Sequence, residues 1–266
     1  MKTYKYWKKE TAEILIDGKK TGILCFGRSN VSMEEASNDA FSYSKNVEAR
    51  LAGKSAPIED YTADIREEVV QEIDGNNIIT RNRYGALVWN TESVTIIDID
   101  QHKKSFLQMF GLKKRDNKTA IVEDMEKLAA KPEYGKLAFR IYETQKGVRV
   151  IVLGAYLDPN SAEAKTLLSQ CHADHLYSVL CRKQKCYRAR LTPKPHRIKQ
   201  KAIKYHWPMS PVELDNAKMW VENYQLKSGN YAVCRYLKTL GKQDSLSKIV
   251  AFHDEQTKAA SQLPLA

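Results

Sequence analysis

Two aspartates one residue apart close a hydrophobic run: Ser93 to Asp100 reads SVTIIDID. On a strand, residues i and i+2 project from one face, so Asp98 and Asp100 should leave the strand end together. Carboxylates held that close repel, and each raises the other's pKa unless a cation lies between them. A divalent metal answers the repulsion, and so does a pair of Arg or Lys side chains. Two solvated acids opening a loop need neither. A metal held by carboxylate oxygens would be Mg²⁺ or Mn²⁺, hard ions that keep coordination positions for phosphate.

Candidate phosphate ligands lie on either side. The segment RIYETQKGVRVIV reads as a hairpin whose turn holds Lys146 and Gly147, with Thr144 and Arg149 beside it. A glycine there lets backbone N–H groups approach a phosphate. Upstream, TRNRYGALVWN adds Arg81, Arg83 and Tyr84. Arg83, Lys146 and Arg149 are the expected nucleotide-binding set, although such arginines can equally neutralise Asp98 and Asp100 as plain salt bridges.

The window from Cys181 to Lys204 holds ten Lys and Arg residues and no Asp or Glu. Within it, Arg188 and Arg190 should share a strand face, and Arg182, Lys194 and Arg197 extend the set. Tyr187, His196, Tyr205, His206 and Trp207 lie within or next to it. Cations neutralise phosphates and aromatic faces stack on bases, so this segment is the expected nucleic-acid surface, for DNA or RNA. The alternative is a solvated basic face. CHADHLYSVLCRKQKC supplies Cys171, His175, Cys181 and Cys186, enough ligand types for one structural zinc. Its spacings are not those of a common finger, which leaves buried thiols as the default. His253-Asp254 falls on a predicted helix, where adjacent residues diverge, and reads as surface.

The elements that must position these groups follow from periodicity. Residues 12–28 read as two strands about the turn DGKK. Ser32 and Glu35 carry a capping-box signature for a helix running to Leu51, broken by AGKSAP. EEVVQEI, NIITRN, YGALVWN and SVTIIDI read as strands. A polar stretch, 101–118, precedes a helix from Thr119 to Ala130. The hairpin, a helix capped at Asn160 or Ser161 that continues towards Cys171 or on to Leu180, and the strand CYRARL come next. From 93 to 191 the order is βαββαβ, an RRM-like (ferredoxin-like) antiparallel sheet in which TIID and VRVIV are neighbours. Residues 213–240 and 246–260 read as a helical hairpin. The expected chain is therefore an α+β protein: an N-terminal extension (1–92), an RRM-like core with the basic segment (93–210) and a C-terminal helical region (211–266).

Composition agrees with a polyanionic partner. The chain has 266 residues, 42% hydrophobic, and 43 Lys plus Arg against 32 Asp plus Glu, a net charge of +11. Such a surplus favours nucleic acid or nucleotides. No apolar run approaches the roughly 18–20 residues of a membrane span, and the start lacks an uninterrupted apolar core for a signal peptide. The five cysteines are odd in number. These features predict a cytoplasmic protein without a membrane partner or a disulfide framework. Walker A, G-x-S-x-G, G-x-G-x-x-G and H-E-x-x-H motifs are absent, so acyl transfer and nicotinamide chemistry find no support.

TIIDID resembles the hydrophobic-D-hydrophobic-D motif of the archaeo-eukaryotic primase (primase-polymerase) superfamily, with Asp98 and Asp100 as its acids. That resemblance implies an RRM-like catalytic sheet and metal-dependent nucleotidyl transfer. In the family's second motif a His follows a small residue and one more residue; here Gly147-Val148-Arg149 puts Arg149 in the His position. The third-motif acid has no counterpart in CYRARL, and Asp158 comes too early. Losing a carboxylate weakens metal clamping, so the resemblance implies a nucleotide-phosphate site more firmly than polymerisation. TRNRYGALVWN, LTPKPHR and YAVCRYLKTLG also resemble segments of uncharacterised bacterial conserved proteins.

Overall fold

The computed structural model describes residues 1–16, 18–53, 63–100, 116–242 and 245–266. The expected DGKK turn (at Asp17), most of AGKSAP and most of the polar stretch 101–118 lie outside the described residues.

β1 (Tyr6–Ile16) and β2 (Lys19–Ser29) pair as an antiparallel hairpin, with Tyr6 opposite Ser29 and Ile16 opposite Lys19. α1 (Met33–Leu51) packs across it. Ser32 caps this helix by accepting from the Glu35 N–H, while the Glu35 carboxylate accepts from Ser29 Oγ at 2.7 Å. β3 (Glu68–Asp74), β4 (Asn77–Arg81) and β5 (Leu87–Thr91) form an antiparallel meander. β6 (Thr95–Ile99) carries the first aspartate, and α2 (Asn117–Ala129) starts two residues before the expected Thr119, because Asp116 caps it. β7 (Ala138–Thr144) and β8 (Val148–Leu153) are the predicted hairpin. Two helices follow: α3 (Ala162–Gln170), which ends at the nearer expected bound with Cys171 as its C-cap, and α4 (His175–Gln184), so the extension to Leu180 is a separate helix. Asp174 caps the second by accepting from the Tyr177 N–H at 2.7 Å, which breaks the run. β9 (Tyr187–Arg190), α5 (Pro211–Ser228), β10 (Cys234–Leu240) and α6 (Lys248–Thr257) complete the chain.

The result is a mixed α+β protein with ten strands, all paired antiparallel, and six α-helices among the described residues. One four-stranded sheet has the order β10-β7-β8-β6, and a second has β3-β4-β5-β9. β6 and β8 are neighbours, as the spacing predicts. CYRARL, expected in the same sheet as TIID, instead pairs with β5, with Val88 opposite Arg190. β5 is almost entirely buried, so its outer N–H and C=O groups need a strand partner.

YAVCRYLKTL, expected to be helical, is β10. Its Tyr236 faces Tyr142 across β7 and so closes an edge that would otherwise be open. Sheet pairing thus crosses both residue 92/93 and residue 210/211. Below the sheets lies one large core that includes Ile97, Ile99, Val148, Val150, Ile121 and Met125. Among the described residues no helix is long and apolar enough to cross a membrane.

Candidate functional site

Strand register builds the first half of the site. Asp98 on β6 lies opposite Arg149 on β8, and Arg149 lies opposite Tyr142 on β7. Directly opposed residues share a face, so the three side chains form one row across the sheet. Arg149 is 1% exposed and Asp98 is 29% exposed. Arg149 Nε donates to Asp98 Oδ1 at 2.9 Å and Nη2 donates to Oδ2 at 3.4 Å, a two-pronged pair. Burial alone would push the Arg149 guanidinium down, yet the adjacent Asp98 charge and its hydrogen bonds hold it above its ordinary value.

The third prong, Arg149 Nη1, donates to the Arg190 carbonyl at 3.0 Å and faces His253 Nε2 at 3.3 Å. A guanidinium only donates, so Nε2 must accept. The His253 proton therefore sits on Nδ1, 3.0 Å from Asp254 Oδ1. Asp254 also accepts from the Tyr142 hydroxyl and, at 2.6 Å, from Arg140 Nη2. Far from being surface, His253 is fully buried and Asp254 largely so. Helix α6 turns its polar pair inward because the row beneath it is itself charged.

That burial sets a pH dependence. Burial holds the His253 imidazole below its ordinary value, Arg149 adds to the effect and Asp254 opposes it. An unfolded His takes up its proton near pH 6.5, so below that pH the unfolded chain binds more protons than the folded one. Stability should fall as pH drops from about 6.5 towards the lower folded value, by at most about 1.4 kcal/mol per pH unit. Asp254 acts in the same sense at lower pH. Burial alone would raise it, but hydrogen bonds from His253, Tyr142 and Arg140 hold it below the carboxylate range. Its contribution is present above about pH 3.9 and is lost as pH falls through the folded value. Urea unfolding at pH 7.5 and pH 5.5 checks the histidine part: His253→Gln should flatten the loss seen in the natural chain, and equal losses in both would contradict it.

The second half is a group of cations. Arg190, Lys194 and Arg197 gather within electrostatic reach of Asp98 or Asp100, and Lys146 lies within reach of Lys194. Part of the Arg190 side chain is exposed, but its Nη1 is enclosed and has no hydrogen-bond partner, and the same holds for Arg197 Nε. Burial, then the charges of Arg149 and Arg197, push Arg190 down to about 10, with Asp98 opposing. Lys194 is pushed down by burial and then by Arg190 and Arg197, whereas Asp100 pulls it up. Burial lowers Arg197, and Asp100 opposes. With Arg149, five cations thus meet two acids, one of which is already paired.

Gly147 holds the hairpin turn against the end of β6. A Cβ there would lie 2.0 Å from the Ile99 carbonyl oxygen and 2.9 Å from Asp100 Cα. Its N–H already donates to Thr144 Oγ1 at 3.1 Å, so it serves close packing and does not present a donor to phosphate. Gly147→Ala should cost about 1–3 kcal/mol and displace Asp100, as over-packing of a tight contact does. Thermal melting and phosphate affinity together check this, and an unshifted melt would refute it.

The other candidates fall elsewhere. Arg83 lines a different cleft, beside Tyr205 and Trp207. Arg188 pairs with Glu67, and Arg182 lies in the last turn of α4. Cys171, Cys181 and Cys186 are buried free thiols, while His175 is exposed at the start of α4. Burial pushes Cys171 and Cys181 up to about 12 and Cys186 up to about 11, which disfavours the thiolates zinc requires. Among the described residues, no three His, Cys, Asp or Glu side chains converge on a metal position.

The chain has no match among family models, curated proteins or solved structures.

Proposed function

We propose that this protein binds the phosphates of nucleotides and nucleic acid at the Asp98–Asp100 end of β6, on the pattern of a primase-polymerase protein. The observation that carries this reading is the excess of positive charge around Asp98 and Asp100, with guanidinium nitrogens of Arg190 and Arg197 lacking partners. Buried cations pushed down by one another are relieved by a polyanion, and multi-oxygen phosphates suit the planar arginine fork. Lys146, Lys194 and Arg197 would receive the outer phosphates, and Arg188 and Arg182 extend the same basic segment. The β6–β8–β7 order, first beside third beside second, supports an RRM-like unit in which β9 has moved to the neighbouring sheet. A cytoplasmic setting fits such a partner.

Metal-dependent nucleotidyl transfer is the second reading, favoured by two acids at one strand end. Asp100 is exposed and Asp98 keeps its outer lone pairs, so these two would hold one Mg²⁺ or Mn²⁺ whose remaining ligands come from phosphate and water. Such an ion would neutralise charge on the phosphoryl group in transfer. Arg149 weakens that role, because it already satisfies much of the Asp98 charge. Binding is therefore the primary function, and a non-catalytic nucleic-acid module is its simplest form.

One experiment separates these. Labelled nucleoside triphosphate is titrated into the protein at low and high salt, and the same samples with Mn²⁺ and a primed template are assayed for extension. Binding that weakens with salt, through counterion release, supports the site. Extension that disappears in Asp100→Ala adds catalysis; binding without extension leaves the non-catalytic module. No binding at low salt would refute both.

A further inference from the structure

A second cleft of about 190 Å³ lies between the β4–β5 turn and the chain from Ile203 to Met209. Arg66, Arg81, Arg83, Tyr205, His206 and Trp207 contribute to its wall, together with Glu68. Three guanidinium groups thus stand with one carboxylate and three flat rings. Glu68 is bound by Arg81 Nε at 2.9 Å, and Arg81 Nη1 also donates to the Gly85 carbonyl at 3.2 Å, so this pair frames the floor. Arg66 and Arg83 are exposed, and Tyr205 and Trp207 are half-buried.

Both lips are held in place. The Asn82 side chain accepts from the Tyr84 and Ala86 N–H groups, which shapes the β4–β5 turn. The Ile203 N–H donates to the Tyr84 carbonyl at 3.2 Å, tying the opposite lip to that turn. Trp220 Nε1 donates to the Lys201 carbonyl at 3.0 Å. The Trp220 ring also fills the space beside Gly85, where a Cβ would lie 2.1 Å from the indole; with φ of +94° this position suits glycine alone. These contacts pre-form the backbone of both lips, which lowers the cost of ordering on binding.

Its chemistry and size select the ligand. Aromatic faces stack on any base, and arginine reads phosphate or base edges. The volume is below the roughly 300–1,000 Å³ of a drug-sized site, so it suits a single planar ring system. A paired base is already stacked in its duplex and cannot enter, whereas an unpaired one can. The cleft lies near the phosphate site, because Ile198, next to Arg197, packs with Tyr224 against Ala86 of the β4–β5 turn. We propose that this cleft receives an unpaired base of a single-stranded polynucleotide whose backbone runs towards Arg190 and Arg197. The inference rests on the phosphate-binding reading and adds the substrate class to it.

Fluorescence anisotropy of the full chain tests it, with labelled oligothymidylate, the matching duplex, thymidine monophosphate and tripolyphosphate as probes. Trp207→Ala should weaken oligothymidylate binding about tenfold and leave tripolyphosphate binding unchanged, and Trp207→Phe should restore most of the loss. A second measurement needs no substitution: an iodouracil-bearing oligonucleotide, irradiated on the natural protein, should crosslink within residues 203–209. Equal oligothymidylate affinity in Trp207→Ala, equal loss for both probes, preference for the duplex, capture of the monophosphate alone, or crosslinks confined to other segments would each overturn the proposal. If tripolyphosphate still binds in those cases, the phosphate site stands without the cleft; if it never binds, the phosphate site itself has failed.

Discussion

Arg149→Met lowers the stability of the protein by about 3–5 kcal/mol, read as a drop in the urea midpoint at unchanged slope. The size follows from what the guanidinium serves. It is 1% exposed and pairs with Asp98; it also donates to the Arg190 carbonyl and to His253. Methionine fills the volume but strands a carboxylate, a carbonyl and an imidazole nitrogen, each left without its donor in a low-dielectric interior. Arg149→Lys does not rescue it, because an ammonium cannot span the two Asp98 oxygens and the third acceptor in one plane. Replacing Asp98 and Arg149 together with apolar residues should cost less than Arg149→Met alone, since no charge is then left unpaired. A loss below about 1 kcal/mol for Arg149→Met would mean that the pair is not the organising contact of this sheet end.

Arg190→Met acts in the opposite direction on stability and yet weakens ligand binding. The Arg190 charge is opposed by burial and by Arg149 and Arg197, and its enclosed Nη1 has no acceptor. Removing it should stabilise the free protein by about 1 kcal/mol while weakening nucleoside triphosphate binding about 10- to 100-fold, the range expected for losing a hydrogen bond to a charged group. Thermal melting and calorimetric titration of one preparation read both effects. A gain in stability with a loss of affinity marks a residue kept for its ligand; a loss of both would make Arg190 an ordinary structural cation.

Much of this site is legible in the sequence because it is local. The hydrophobic run before Asp98 announces a strand, and the i and i+2 spacing puts both acids at its end. The βαββ order makes β8 the neighbour of β6, which is how Arg149 could be named beforehand. The crowding of cations after Cys181 is plain from composition.

What escapes is what depends on distant segments. His253 and Asp254 look like a soluble helical pair, and only the charged row beneath α6 makes burial favourable for them. β10 carries Lys238 and two leucines that suit a helix equally well, and the free edge of β7 decides the matter. β9 alternates like any strand, so its pattern cannot tell whether β6 or β5 will take it. The cleft at Trp207 joins a turn to a segment more than a hundred residues later in the chain, a distance at which spacing carries no signal.

The most direct measurement is a crystal structure of the natural protein grown with Mn²⁺ and a nucleoside triphosphate. Phosphate oxygens should lie within hydrogen-bonding distance of Arg190 and Arg197, with any manganese on the Asp100 side and the Asp98–Arg149 pair intact. A triphosphate bound elsewhere while those arginines turn to other protein acceptors would contradict the phosphate site.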